Sequence, residues 1–194
     1  NAQSNQVFAI ITVVPVNNLP IVDLNGINSP QVNFTTTFTE GQQPVPIVDV
    51  NTVTIVDVDS DYASLCSFKI LNNLDGALET LSVDTSSISI NSFGISVSYS
   101  PLTATLTISG KASLPIYNLI LSKILYNNRN PNFDDSIDRE IEGYCLNDFS
   151  DNPTAAPRSY SIVNLVPFNN PPDIDLNGPL STGNNFNTTF TEQS

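Results

Sequence analysis

The sequence contains no histidine, methionine or tryptophan, only two cysteines, and six basic residues against nineteen acidic ones. Without histidine, Ser–His and Cys–His nucleophile systems and the usual zinc sites are excluded. All six Lys and Arg fall between Lys69 and Arg158, and the net charge is −13. Nucleic acid is a poor partner for such a chain, because phosphate recognition needs clustered cations. Divalent cations match the acidic balance better. No apolar run approaches the roughly 20 residues that span a bilayer, so there is no membrane segment in this stretch. An initiator methionine and a signal-like segment are also missing, and the chain reads as a mature or excised portion. Two carboxylates could still hydrolyse glycosides if suitably spaced, but no catalytic constellation emerges, and the reading is non-enzymatic.

What is present is apolar enough to fold. Apolar residues make up 40% of the chain and charged ones only 13%, so the surface is polar but mostly uncharged, unlike a disordered acidic tail. One stretch occurs twice. Asn17-Asn18-Leu19-Pro20-Ile21-Val22-Asp23-Leu24-Asn25-Gly26, running on to Phe34-Thr35-Thr36-Thr37-Phe38-Thr39-Glu40, returns 152 positions later without a gap. There it reads Asn169-Asn170-Pro171-Pro172-Asp173-Ile174-Asp175-Leu176-Asn177-Gly178 and Phe186-Asn187-Thr188-Thr189-Phe190-Thr191-Glu192. The apolar run Phe8–Pro15 is likewise mirrored by Tyr160–Pro167. A fixed long period is the mark of a tandem array. The expected organisation is the last strand of a preceding repeat (1–16), one complete repeat (17–168) and the first strand region of a following one (169–194).

Strand patterns dominate. Val7–Val16 is a β-branched run suited to a strand buried on both faces. From Asn33 to Thr39 the residues alternate, which turns Phe34, Thr36 and Phe38 to the core and Asn33, Thr35, Thr37 and Thr39 outward. Further strands are expected at Pro46–Asp49, Thr52–Val58, Leu65–Leu71, Thr80–Val83, Ile95–Tyr99, Ala104–Ser109, Ile124–Tyr126, Glu140–Leu146 and Ser159–Val166. A short helix around Tyr117–Lys123 crosses between sheets. Many short strands with Gly, Asn and Pro turns predict an all-β sandwich.

The order of features resembles the cadherin-like repeats of large extracellular surface proteins. The matching pieces are Thr37-Phe38-Thr39-Glu40, Val56-Asp57-Val58-Asp59-Ser60-Asp61, Leu106-Thr107-Ile108-Ser109-Gly110, Tyr117 and Leu121 leading to Tyr126-Asn127-Asn128 and Pro131, Arg139-Glu140-Ile141, Asn147-Asp148 and the linker Pro167-Phe168-Asn169-Asn170-Pro171-Pro172. The resemblance implies an immunoglobulin- or cadherin-like sandwich repeat, rigidified by Ca²⁺ and strung end to end outside the cell. Classical cadherin linkers carry an Asp-x-Asn-Asp-Asn pattern, whereas both linkers here have Asn-Asn without an acid.

Several residues are candidate sites. Asp57, Asp59 and Asp61 alternate, so in an extended conformation their carboxylates share one face, and Ca²⁺ takes six to eight such oxygens; the alternative is a solvated acidic strand end. Through the family pattern Glu40 and Glu140 join them, with Asp148 and linker Asn18 or Asn170. In an extracellular setting Cys66 and Cys145 suggest a sheet-to-sheet disulfide, which would stabilise by about 4 kcal/mol in the chain-entropy model; two buried free thiols are the alternative. Asn33-Phe34-Thr35 is an N-glycosylation sequon, and Asn187-Thr188-Thr189 is another, shifted by two in the second copy.

The leading expectation is a structural extracellular filament or surface stalk of stacked repeats. A Ca²⁺-dependent adhesion receptor ectodomain is the alternative, and a carbohydrate-binding module the third. The expected partners are copies of the chain itself, head to tail or by terminal-strand complementation, with glycans as further ligands.

Overall fold

The computed structural model describes residues 5, 7–14, 16–147, 155–168, 174–178 and 182–192. Two sheets enclose one core. The larger has six strands in the order β2 (Phe34–Thr39), β11 (Ser159–Val166), β10 (Arg139–Asn147), β5 (Tyr62–Ile70), β8 (Thr105–Ser113) and β7 (Ser96–Ser100). The smaller orders β3 (Val45–Pro46), β9 (Ile124–Asn128) and β6 (Glu79–Val83), and β1 (Ile21–Asp23) pairs with β4 (Thr54–Val56) as a separate ribbon. The helix α1 (Leu114–Leu121) carries the chain from β8 in the larger sheet to β9 in the smaller. This is the crossover expected from sequence, begun three residues earlier because Pro115, which needs no amide partner in a first turn, opens it.

Alternation builds the core. Phe38, Phe68, Leu106, Ile108, Ile141 and Val163 from the larger sheet and Leu81, Ile124 and Tyr126 from the smaller are buried in a single cluster. The rings of Phe38 and Tyr126 meet edge to face, 5.4 Å between centroids, and tie the two sheets together. Gly143 on β10 sits opposite Phe68 on β5, and a Cβ there would lie 2.4 Å from the Phe68 ring. A bare backbone at that position makes room for the aromatic.

Neighbouring strands are antiparallel, with the exception of β11 and β2, which pair in parallel with Ser161 opposite Phe34 and Val166 opposite Thr39. The first long strand is therefore held by the last, and β2 and β7 are the edges of the larger sheet.

Cys66 and Cys145 are joined. The expected sheet-to-sheet bridge is corrected, however: the two residues face each other in register on β5 and β10, adjacent strands of one sheet, with their Cα atoms 4.1 Å apart. The close pairs of an antiparallel ladder bring Cα atoms to about 4.5 Å, so a disulfide fits there without reaching across the core. Both cysteines are fully buried.

Residues 7–14 form no strand and are exposed, Phe8 at 83% and Ile10 at 91%. The strand expected there does not form among the described residues. Its mirror image, β11, is a complete strand with Ser161 and Val163 fully buried, so the difference lies in what surrounds the sequence.

Candidate functional site

The candidate ligands fall into two groups at opposite ends of the strands. One end receives the segment that leads into β1. The chain enters through Asn17-Asn18-Leu19-Pro20 into β1, and β4, antiparallel to β1, ends beside it at Val56. The chain then bends through Asp57–Asp61 before β5 begins at Tyr62. Asp57, Asp59 and Asp61 therefore lie in a loop, which corrects the extended strand expected over Thr52–Val58 and the shared face it implied. Aspartate competes for local N–H groups and breaks the ladder: Asp59 N–H donates to Asp57 Oδ1 at 3.2 Å.

The entering segment and the loop are fastened to each other. Asn18 donates to Asp59 Oδ2 from its backbone N–H at 2.8 Å and from Nδ2 at 3.1 Å. Asn147, at the end of β10 and fully buried, donates from Nδ2 to Asp57 Oδ2 at 3.0 Å, to the Asn18 carbonyl at 2.8 Å and to Asn17 Oδ1 at 2.9 Å. Asn17 Nδ2 returns a bond to Asn147 Oδ1 at 3.3 Å. The Asn18 backbone N–H, with side-chain hydrogen bonds from Asp57 and Asn18, holds the Asp59 carboxyl below its ordinary value against the opposing effect of burial. Asp61 contributes its carbonyl, which accepts the N–H of Leu114 at 2.9 Å.

The other end lies where β2 and β11 finish. Glu40 follows β2 directly; its N–H donates to the Val166 carbonyl, and its Oε2 accepts the N–H of Phe168, both at 2.9 Å. Glu140 is the second residue of β10, its N–H held by Asn72 Oδ1 at 2.9 Å. Asn147 lies seven residue steps along β10 from Glu140, on the order of 23 Å at the usual rise. Glu40 and Glu140 thus do not join Asp57, Asp59 and Asp61. Among the described residues no three His, Cys, Asp or Glu side chains gather into a metal-holding group; Asp148 and Asn170 lie outside the described residues.

The charged cluster that sequence reasoning missed is buried. Arg139 and Glu79 are both fully buried, and Nε of the arginine donates to Glu79 Oε1 at 2.5 Å. Nη2 donates to Asp75 Oδ2 at 2.8 Å and Nη1 to the Ile137 carbonyl at 2.6 Å. Asn128 and Asn130 add donors to Asp75 at 2.8 and 2.6 Å. Two carboxylates share one guanidinium here. Burial pushes the Glu79 carboxyl up to about 7 despite the arginine, while the asparagine donors, Glu79 and Arg139 together outweigh burial and hold Asp75 low. Glu79 is the member that takes up a proton, and its Oε2 has no hydrogen-bond partner. Arg139 stands in the sequence between Asp138 and Glu140, and its carboxylate partners lie 60 and 64 positions away. The one available signal was that a basic residue is scarce in this chain and so needs a reason.

Asn33 and Asn187 are both exposed. Asn33 immediately precedes β2 and its Oδ1 accepts the N–H of Tyr160 at 2.8 Å; Asn187 lies in a stretch without strand structure. No helix among the described residues is long and apolar enough to cross a membrane. No protein-family model, curated protein or solved structure matches the chain.

Proposed function

We propose that this chain is an extracellular structural protein whose β units, of immunoglobulin- or cadherin-like type, follow one another with a period of 152 residues and stack head to tail into a filament or surface stalk. The observation that carries the reading is the fastened linker. Asn17 and Asn18 are held by Asp59 and Asn147, and Asn147 in turn donates to Asp57; the same Asn-Asn pair recurs at 169–170 behind a strand that mirrors Phe8–Pro15. A linker bonded to the unit it enters fixes the direction in which the preceding unit leaves. The exposed Phe8, Ile10, Phe186 and Phe190 are strand-forming residues that a neighbouring unit would cover, through chain continuity or strand donation. A head-to-tail contact that does not close on itself propagates as a fibre. The disulfide fits an oxidising compartment.

Electron microscopy of the native protein tests this. Linear particles with an axial repeat of at least about 30 Å, the length of a nine-residue strand, are expected; a monodisperse globular monomer would overturn the reading.

Ca²⁺-dependent adhesion is the second reading. It draws on the placement of Glu40 where the linker leaves and of Asp57 and Asp59 where it enters, since consecutive units would bring these acids to one junction. Excess chelator separates the two readings: the fastened linker predicts unchanged stiffness of the fibre, and the Ca²⁺ junction predicts a flexible chain of beads.

A further inference from the structure

We propose that Asn33 is an N-glycosylation site and that its glycan shields the open edge of β2. The strand pairs with β11 on one side only, and the other side is a sheet edge. Phe34–Thr39 contains no charge and no proline, the devices that usually stop an edge from recruiting another strand. Asn33 stands at the head of that edge, and Thr35, the hydroxyl residue of the sequon, is exposed on the same face.

The amide is already divided between two tasks. Oδ1 is committed to the Tyr160 N–H, extending the parallel ladder by one bond beyond the Ser161–Phe34 pair. Asn33 is exposed, and its bond to Tyr160 uses Oδ1 and not Nδ2, the atom a glycan attaches to. Modification therefore leaves the structural hydrogen bond in place. In the transfer, a bond forms between Nδ2 and the anomeric carbon of a lipid-diphosphate-linked oligosaccharide. The bond from that carbon to phosphate oxygen breaks, the lipid diphosphate departs with the electron pair, and the nitrogen loses one of its two protons. No oxidant or reductant is needed.

The second copy carries the same device differently. Its Asn187 occupies the position of Thr35, two residues along, so the asparagine keeps the parity of the outward face. The proposal rests on the extracellular reading given above, but its readout does not depend on filament formation.

The test is to secrete the 194-residue chain, behind an added signal peptide, from a host that performs N-glycosylation. Peptide mass mapping before and after enzymatic removal of N-glycans is the measurement. A glycan on the Asn33 peptide is expected in the wild type and in Thr35→Ser, and its complete loss in Thr35→Ala. Thr35→Asn, which copies the second repeat, should move the glycan from residue 33 to residue 35. Melting temperature and the Cys66–Cys145 bond should match across the variants, showing that each is folded. A folded, disulfide-bonded wild type with unmodified Asn33 overturns the site. Light scattering at equal concentration tests the shielding: Thr35→Ala should self-associate faster than wild type, and equal rates would overturn that part.

Discussion

The segments 17–40 and 169–192 share most of their residues and differ in their surroundings. Their tight turns are the same. Asp23 Oδ1 accepts the N–H groups of Asn25 and Gly26 at 3.1 and 2.8 Å, and Asp175 Oδ1 those of Asn177 and Gly178 at 3.0 and 3.1 Å. Both glycines take φ of +79°, a left-handed conformation that side chains resist. Even the closing bond repeats, from Leu24 N–H to the Val32 carbonyl and from Leu176 N–H to that of Asn184. The strands are not the same: Phe38 is fully buried in β2, whereas its counterpart Phe190 is 90% exposed and outside any strand. A turn held by its own aspartate forms wherever the sequence occurs. A strand is worth little until another strand and a core receive it.

Substitutions can break this contrast, starting with the largest effect. Phe38→Ala should destabilise the unit by about 3–5 kcal/mol, the usual cost of emptying an aromatic core site, while Phe190→Ala should change the melting of the same chain by less than about 0.5 kcal/mol. Thermal or urea unfolding of both variants measures the ratio. Reducing Cys66–Cys145 should remove about 2–4 kcal/mol and lower the melting temperature, yet leave the Asp175 turn intact. NMR shifts of Asn177 and Gly178 that survive the reductant would show that the turn is independent of the sandwich.

The buried pair gives a pH dependence with a defined sign. Glu79 has a folded-state value of about 7, above its ordinary 4.5, so the folded state holds the extra proton between those values. Its contribution is present below pH 4.5 and lost as pH rises through 7, on the order of 3 kcal/mol. Asp75, held low, acts oppositely and loses its contribution as pH falls below its ordinary 3.8. Unfolding free energy should therefore fall between pH 4.5 and 7, and Glu79→Gln should flatten that slope. A slope unchanged by the substitution would assign it to other groups. The smallest effect concerns the turns themselves. Asp23→Ala should cost about 1 kcal/mol of stability; Asp175→Ala should leave melting unchanged and speed hydrogen exchange at Gly178.

The same contrast explains what could be read from the sequence. Ser159–Val166 was legible to the residue as a strand, and every second residue from Ser159 to Leu165 is buried. Val7–Val16 has equally good strand chemistry but no sheet to join. Asp57, Asp59 and Asp61 looked like alternation, but aspartates satisfy nearby N–H groups and bend the chain, and periodicity does not separate the two outcomes. The cysteine pair was legible as a pair, but not as neighbours in one sheet, since register is set by strand order. The Arg139–Glu79–Asp75 cluster was beyond reach: its members are brought together only by the packing of β10 against the smaller sheet's flank.

The parallel pairing of β2 with β11 has a consequence for how such a chain acquires its shape during synthesis. Phe34 waits until Ser161 has been made, 127 positions later, while a near-copy of β2 begins at Phe186, only 20 positions beyond Val166. Closing the shorter loop costs less entropy, by about 1.6 kcal/mol on the logarithmic scale, and 20 residues suffice for a parallel crossover. On loop length alone the downstream strand would win. What favours β2 is order of emergence: it is already available when β11 appears, and the competitor is not. Vectorial production therefore favours the pairing of β2 with β11, and a fully denatured chain returned to native conditions is expected to lose that advantage.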